Sequence, residues 1–158
     1  MTLDGPVFKS TIDPPSAEQS TIWFFEMKPG FVPGIIREIT VVVTADMCPA
    51  FDGVIVHRVY STWSAAHHFE MAARNVLVDF LEAHEEGVGS YLSVDHLAPC
   101  PVGRTVRVRA ELIEVTDDHH PRVVCNVSAY DGDRLLAKGK QVQVVMNKEY
   151  LQRYLERS

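Results

Sequence analysis

The chain has 158 residues, of which 46% are hydrophobic and 23% charged, a balance that fits one globular domain and excludes a fibre or a disordered chain. No apolar stretch approaches the roughly 18 to 20 residues that cross a bilayer, and Met1 to Pro6 offers no basic start to a leader, so no membrane contact is expected and the cytoplasm is the expected compartment. A net charge of −6 argues against the positive field that holds nucleic acid, which is not an expected partner.

Residues 1–33 read as an N-terminal extension, with Asp13-Pro14-Pro15-Ser16 and Lys28-Pro29-Gly30 as turn punctuation around one apolar patch, Ile22 to Phe25. The patch is expected to dock on the main body, residues 34–158, because four large apolar side chains are costly to leave in water. Gly34 to Thr44 is rich in β-branched residues and predicts a strand, and Asp46 to Asp52, with Pro49 and Gly53, predicts a loop. From Thr62 to about Glu85, Ala65, Phe69, Ala73, Val76, Leu77, Phe80 and Leu81 recur at helical spacing with no Gly or Pro before Gly87. This predicts one long, largely buried helix, with His68, Asn75, Asp79 and Glu82 on its far side.

Four further extended segments follow Gly87. In Arg104 to Val115 the residues Val106, Val108, Ala110 and Leu112 alternate with Arg107, Arg109 and Glu111, so one face is packed and the other wet. Val123 to Tyr130 and Leu135 to Met146 alternate likewise across Asp131-Gly132-Asp133, a hairpin signal. The tail from Asn147, with Tyr150, Leu151, Tyr154 and Leu155, predicts a short amphipathic helix. A helix of about 24 residues spans about 36 Å, and a strand of about 12 residues spans about 40 Å. An α+β architecture in which a curved antiparallel sheet wraps around one central helix, the hot-dog fold, satisfies both lengths. Such a sheet leaves an edge strand bare, which predicts a two-fold dimer.

Several residues carry possible chemistry. Glu70 lies on the apolar flank of the helix, either paired with Arg74 or His67 or as a partly desolvated carboxylate fit to be a nucleophile or general base. His96, at the end of a strand ahead of Pro99, Pro101 and Gly103, is a hydrogen-bonded strand-end imidazole or a proton carrier. His67, His68, His119 and His120 read as solvated surface, and no metal-ligand spacing appears. Thr62 starts the long helix as its N-cap, with the N–H groups of Trp63 and Ser64 suited to an anionic oxygen. Gly89 either relieves a turn or lets a ligand approach the backbone. Cys48, Cys100 and Cys125 have no C-x-x-C spacing and read as reduced thiols.

Thr62, Glu70 eight positions on, Gly89, and Asp95-His96-Leu97-Ala98-Pro99-Cys100-Pro101-Val102-Gly103 together closely resemble the fluoroacetyl-CoA thioesterase family of hot-dog proteins. The resemblance runs from about Met27 to Leu151 and includes Ala110-Glu111-Leu112, Tyr130-Asp131, Ala137 and Gly139. It implies hydrolysis of a small or medium acyl-CoA thioester, with the family's catalytic threonine, glutamate and histidine on Thr62, Glu70 and His96 and its active-site glycine on Gly89. The family's arginine near the end of the last strand corresponds to Gln143. No cofactor is implied beyond coenzyme A as part of the substrate, and no metal. Thr62 and Glu70 lie about 12 Å apart along one helix, so the expected site is shared across a homodimer, the carbonyl being held at Thr62 of one subunit and attacked by Glu70 of the other. Phe51 and Val54 are candidate walls for the acyl group, with the Ile22 to Phe25 patch, while Arg104, Arg107, Lys138 and Lys140 are candidate partners for the coenzyme's diphosphate. A hot-dog hydratase or dehydratase and a non-catalytic acyl-CoA-binding protein are the alternative readings.

Overall fold

A computed structural model describes residues 27–116 and 119–157. The elements in chain order are β1 (Ile36–Val42), β2 (Ala50–Phe51), β3 (Val54–Ile55), α1 (Thr62–Leu77), β4 (Glu85–Leu92), β5 (Asp95–His96), β6 (Thr105–Val115), β7 (Arg122–Asp131), β8 (Arg134–Asn147) and α2 (Lys148–Glu156). The main sheet has the order β1-β6-β7-β8-β4, all neighbours antiparallel, with β5 also paired to β8. Its concave face holds α1, where Phe69, Ala72, Ala73, Val76 and Leu77 are fully buried with Val106, Val108, Ala110, Val123, Cys125 and Val127 of the strands. The alanines on this helix face let its backbone sit close to the sheet, and the larger Phe69 and Leu77 fill the space between. This is the hot-dog architecture. No helix among the described residues is long and apolar enough to cross a membrane.

The alternation in β6, β7 and β8 carries through as expected, because in each strand one face meets α1 and the other meets water. Asp131 pairs with Arg134 across a two-residue turn in which Gly132 has a φ of 60°. α2 is capped by the Asn147 side chain, which accepts from the N–H groups of Glu149 and Tyr150.

The helix differs from its expected length. α1 has 16 residues and gives way at Val78–Phe80 to a 3₁₀ turn, while Glu85 already belongs to β4. Periodicity extends further than the helix because tertiary bonds take the carbonyls that would have continued it. Lys28 donates its backbone N–H to the carbonyl of Phe80 (2.8 Å) and its Nζ to that of Asp79 (3.2 Å). Arg37 pairs with the Asp79 carboxylate at 3.2 Å, and the Phe80 ring packs on Phe31 at 5.0 Å. At about 24 Å the helix is therefore shorter than β6 and not matched to it. Met27 and Phe31 pack against the core, so the end of the expected extension is knit to the main body, while the Ile22 to Phe25 patch lies outside the described residues.

The expected loop after β1 contains a small hairpin. β2 and β3 pair around Asp52 and Gly53, whose φ values of 50° and 79° make the tight turn that an Asp-Gly pair favours. His68, expected on the wet side of the helix, is buried, because the segment before α1 folds over it. Tyr60, fully buried, stacks on the His68 ring and bonds its Nδ1 at 2.7 Å. Burial lowers the His68 pKa and raises that of the Tyr60 hydroxyl.

Between Leu92 and Asp95 the edge of the sheet kinks. Ser93 replaces regular pairing with a crossed pair of bonds: its N–H donates to the Lys140 carbonyl (2.9 Å), and its Oγ accepts from the Lys140 N–H (3.0 Å). A Cβ on Gly139 would lie 1.9 Å from the Ser93 carbonyl oxygen, so only glycine lets the two backbones cross. This crossing re-aims β5 and delivers His96 toward the N-terminus of α1.

Candidate active site

The site is built in two parts. At the start of α1, Ser61 rather than Thr62 is the N-cap, its Oγ accepting from the Ser64 N–H at 3.1 Å. Thr62 is the first helical residue, and its hydroxyl is thereby left to meet the His96 ring, with Oγ1 3.0 Å from Nδ1. Nε2 of His96 is buried and has no hydrogen-bond partner among the described residues. With the Ser64 N–H engaged by the cap, the N–H groups of Thr62 and Trp63 are the first-turn donors without a partner among the described residues. The Trp63 ring is 47% exposed and meets the 63%-exposed Phe51 of β2 edge-on at 5.7 Å. The hairpin thus places an aromatic pair and the exposed Val54 beside Thr62.

The second part lies midway along α1. Glu70 is exposed, not shielded as the apolar flank predicts, because the sheet wraps only the opposite side of the helix. The expected partner Arg74 turns instead to Glu86 at 2.9 Å, which holds the Glu86 carboxyl below its usual range. Glu70 reaches over Gly89 of β4. A Cβ at Gly89 would lie 2.5 Å from Glu70 Oε1, so the absence of a side chain there makes room for the carboxylate. Gln141 of β8 reaches the same spot, with Nε2 3.9 Å from that point. Gln143, 3% exposed, is turned inward and donates from Nε2 to the carbonyl of Ala73 at 3.1 Å, tying the last strand to the helix.

Along α1 the two parts are separated by about 12 Å. On β8, Ala137, which pairs with His96, and Gln141 are about 13 Å apart. β4 ends the sheet, and its outer edge, with exposed Gly89, Ser90 and Tyr91, has no strand beside it among the described residues. Of the candidate cations, Arg104 makes a bidentate bond to Asp131 (3.0 and 2.7 Å), and Arg107 pairs with Glu38 at 2.7 Å while lying 5.0 Å over the Tyr130 ring. Both line a shallow groove of about 460 Å³ on the outer face of the sheet with Thr40 and Thr105. Lys138 and Lys140 are exposed on the outer face of β8. Cys48, Cys100 and Cys125 are buried free thiols, and burial pushes that of Cys125 up to about 12.

Sequence reasoning passed over Gln141 and the small hairpin, although both left a signal. Asp52-Gly53 between Phe51 and Val54 is a two-residue turn motif. Gln141 and Gln143 share the inward parity of β8 with Ala137 and Val145, where an apolar residue is the rule.

Comparison with known proteins bears on this geometry. The sequence profile of the fluoroacetyl-CoA-specific thioesterase FlK family matches residues 43–149. A Thermus thermophilus protein described as a thioesterase superfamily member is 32% identical, with 82% of this chain and 94% of that one covered at a TM-score of 0.76. A point mutant of the fluoroacetyl-CoA-specific thioesterase FlK is 25% identical, with 82% and 98% covered at a TM-score of 0.72. The same mutant in complex with fluoroacetate and CoA is again 25% identical, with 76% and 98% covered at 0.67. A search of curated protein sequences finds no match. The family profile spans well over half of the chain and the hot-dog architecture agrees with it, so this chain belongs to the FlK family of thioesterases and is a thioester hydrolase.

Proposed function

We propose that the protein hydrolyses a small or medium acyl-CoA thioester at a site shared by two copies of the chain. The observation that carries the reading is the Thr62–His96 pair, a hydroxyl 3.0 Å from Nδ1 of a ring whose Nε2 is buried and unpartnered among the described residues. With both ring nitrogens protonated, Nδ1–H donates to the Thr62 oxygen and the Nε2 proton can be given to a departing sulfur, which leaves the Thr62 hydroxyl proton free for the substrate. Thr62 and the Trp63 N–H hold the thioester carbonyl oxygen as negative charge develops on it. Glu70 supplies the attack, as nucleophile or as base for a water. It comes from the partner subunit, because within one chain it stands too far from Thr62. An antiparallel pairing of two β4 edges covers the bare strand, shields Glu70 and brings each glutamate toward the other subunit's threonine and histidine. The acyl group rests against Phe51, Val54 and Trp63, and CoA enters as substrate, with Lys138 and Lys140 as its phosphate contacts. Arg104 and Arg107 are already neutralised by carboxylates. Gln143 takes the place of a family arginine without its fixed charge, and this shifts the acyl preference away from fluoroacetyl.

A panel of acetyl-, isobutyryl-, phenylacetyl- and chloroacetyl-CoA assayed for free thiol tests the reading. The expected result is thiol release from at least one ester, with activity per subunit falling as dilution dissociates the dimer. Absence of thiol release across the panel would refute hydrolysis, and full activity in a demonstrated monomer would refute the shared site.

Gly89→Ala gives a finer check. The new Cβ would clash with the far end of the Glu70 side chain and no backbone atom is among its nearest contacts, so the chain yields by swinging the carboxylate aside. The expected outcome is an unchanged thermal midpoint and a kcat lower by about 10²-fold, the effect of displacing a reacting group by about an ångström. Both quantities come from one purified variant. Wild-type turnover would show that Glu70 acts from some other position.

A further inference from the structure

Tyr60 and His68 form a polar pair inside the core, 0% and 6% exposed. Their rings stack at 5.7 Å and 6° from parallel, with Tyr60 Oη 2.7 Å from His68 Nδ1. Oη also donates to the Ser64 carbonyl at 3.3 Å. A hydroxyl has one proton, so both bonds are made only when that proton goes to Ser64 and His68 Nδ1–H donates to Oη. The pair carries a desolvation cost that a phenylalanine and a leucine in the same space would avoid, so a gain in stability does not account for it. The backbone beside Tyr60 is bonded in another direction. The Tyr60 N–H donates to the Cys100 carbonyl at 2.7 Å, Val59 pairs with Pro101, and the Arg58 carbonyl accepts from the Val102 N–H at 3.3 Å. Residues 58–60 thus run beside residues 100–102, the stretch that follows β5 and His96. Ser61 is tied elsewhere, its N–H donating to the Met47 carbonyl at 2.9 Å. Tyr60 is therefore a strut, with its main chain on the loop after His96 and its side chain on the first two turns of α1. Thr62 and His96 lie at the two ends that this strut joins, and they meet at 3.0 Å.

We infer that Tyr60 and His68 are positioning residues for the reaction: they hold the start of α1 against the loop after His96 and so fix the approach of Thr62 to the imidazole. The inference rests on the hydrolytic reading above, in which Thr62 accepts from His96 and turns its own proton to the thioester carbonyl oxygen. Neither Tyr60 nor His68 touches the reacting atoms. Both are buried behind the helix start, and they act through where they put the Thr62 hydroxyl. Without Oη, the bonds from Tyr60 to Ser64 and His68 are gone, and the strap of residues 58–60 is free to shift against α1. Slack of about an ångström lengthens the Thr62–His96 contact and turns the hydroxyl off the carbonyl oxygen, which slows the chemical step and leaves binding of the ester unchanged. Without the His68 donor, Oη keeps only its longer bond to Ser64, so the strap loosens in the same way.

The test is a cycle of variants assayed on the ester of the panel that the wild type hydrolyses fastest, each well below its own thermal midpoint. Tyr60→Phe and His68→Leu are each expected to lower kcat about tenfold with KM within about twofold of wild type. His68→Asn, whose amide N–H takes the place of Nδ1–H, should keep kcat within about threefold of wild type. In a Thr62→Val background the contact with His96 is already gone, so adding Tyr60→Phe should lower kcat by no more than about twofold further. A full tenfold loss in that background overturns the inference, because it marks a general effect on the fold and not one that passes through Thr62. So does a wild-type kcat in folded Tyr60→Phe, a rise in KM in place of a fall in kcat, or a His68→Asn chain as slow as His68→Leu. If Tyr60→Phe does not fold, His68→Leu alone and on Thr62→Val gives the same comparison. A wild type that releases no thiol from any ester fails the functional reading itself, and an active wild type matched by its variants fails this inference alone.

Discussion

Replacing Glu70 with glutamine is expected to lower kcat by about 10² to 10⁴-fold, the usual contribution of a positioned base, with KM and the thermal midpoint close to wild type. The side chain is exposed on α1, and Arg74, its nearest helical candidate for an ion pair, is bound to Glu86. A surface change of this kind moves stability by no more than about 0.5 kcal/mol. The amide keeps the shape of the carboxylate but accepts no proton at neutral pH. Thiol release by the purified variant, with a thermal melt as control, reads both effects, and a kcat above about one tenth of wild type would remove Glu70 from the reaction. The variant also tests where the site lies. Mixing Glu70→Gln subunits with His96→Asn subunits should restore about a quarter of wild-type activity, because half of the dimers are mixed and each mixed dimer has one intact shared site. If all three residues served one chain's own site, no combination of the two defective subunits would recover turnover.

How far the sequence could be read depended on whether a residue's surroundings were local. β6, β7 and β8 were legible because each has one face against α1 and one in water, and Asp131-Gly132-Asp133 set their hairpin. The wheel of α1 correctly marked Ala65, Phe69, Ala73, Val76 and Leu77 as inward, and all five are fully buried. It misplaced Glu70 and His68 for opposite reasons. The flank that holds Glu70 is left uncovered by its own sheet, whereas the far side that holds His68 is covered by Tyr60, which arrives from a preceding loop. The end of α1 was illegible because Lys28 and Arg37, distant in sequence, capture the 3₁₀ turn that follows it. In the site, Thr62, Glu70, Gly89 and His96 stood out as candidates by type and position, and the resemblance gave them their roles. Which of them meet needed coordinates, since the contact of Thr62 with His96 depends on a kink in the edge strand.

That kink makes Gly139→Ala the most destructive single substitution expected in this chain. The added methyl would sit 1.9 Å from the Ser93 carbonyl oxygen and 2.8 Å from the Ser93 carbonyl carbon, both of them backbone atoms. At Gly89 the obstacle is a side-chain tip that can rotate, but here relief requires moving the chain. Moving it breaks the two bonds between Ser93 and Lys140. Overpacking that no rotamer change can relieve costs about 3 kcal/mol or more, which in a chain of this size lowers the thermal midpoint by about 6 to 12 °C. The damage extends to the chemistry, because Ser93 lies three residues before His96 and the same crossing directs β5. The folded fraction of Gly139→Ala should therefore show reduced kcat as well, through loss of the Thr62–His96 contact. The two glycine variants then separate two uses of one residue type. Gly89→Ala loses turnover without stability, and Gly139→Ala loses both, by thermal melts and thiol assays run side by side. A Gly139→Ala midpoint within about 2 °C of wild type would mean that the backbones do not cross as described and that His96 is aimed by some other feature.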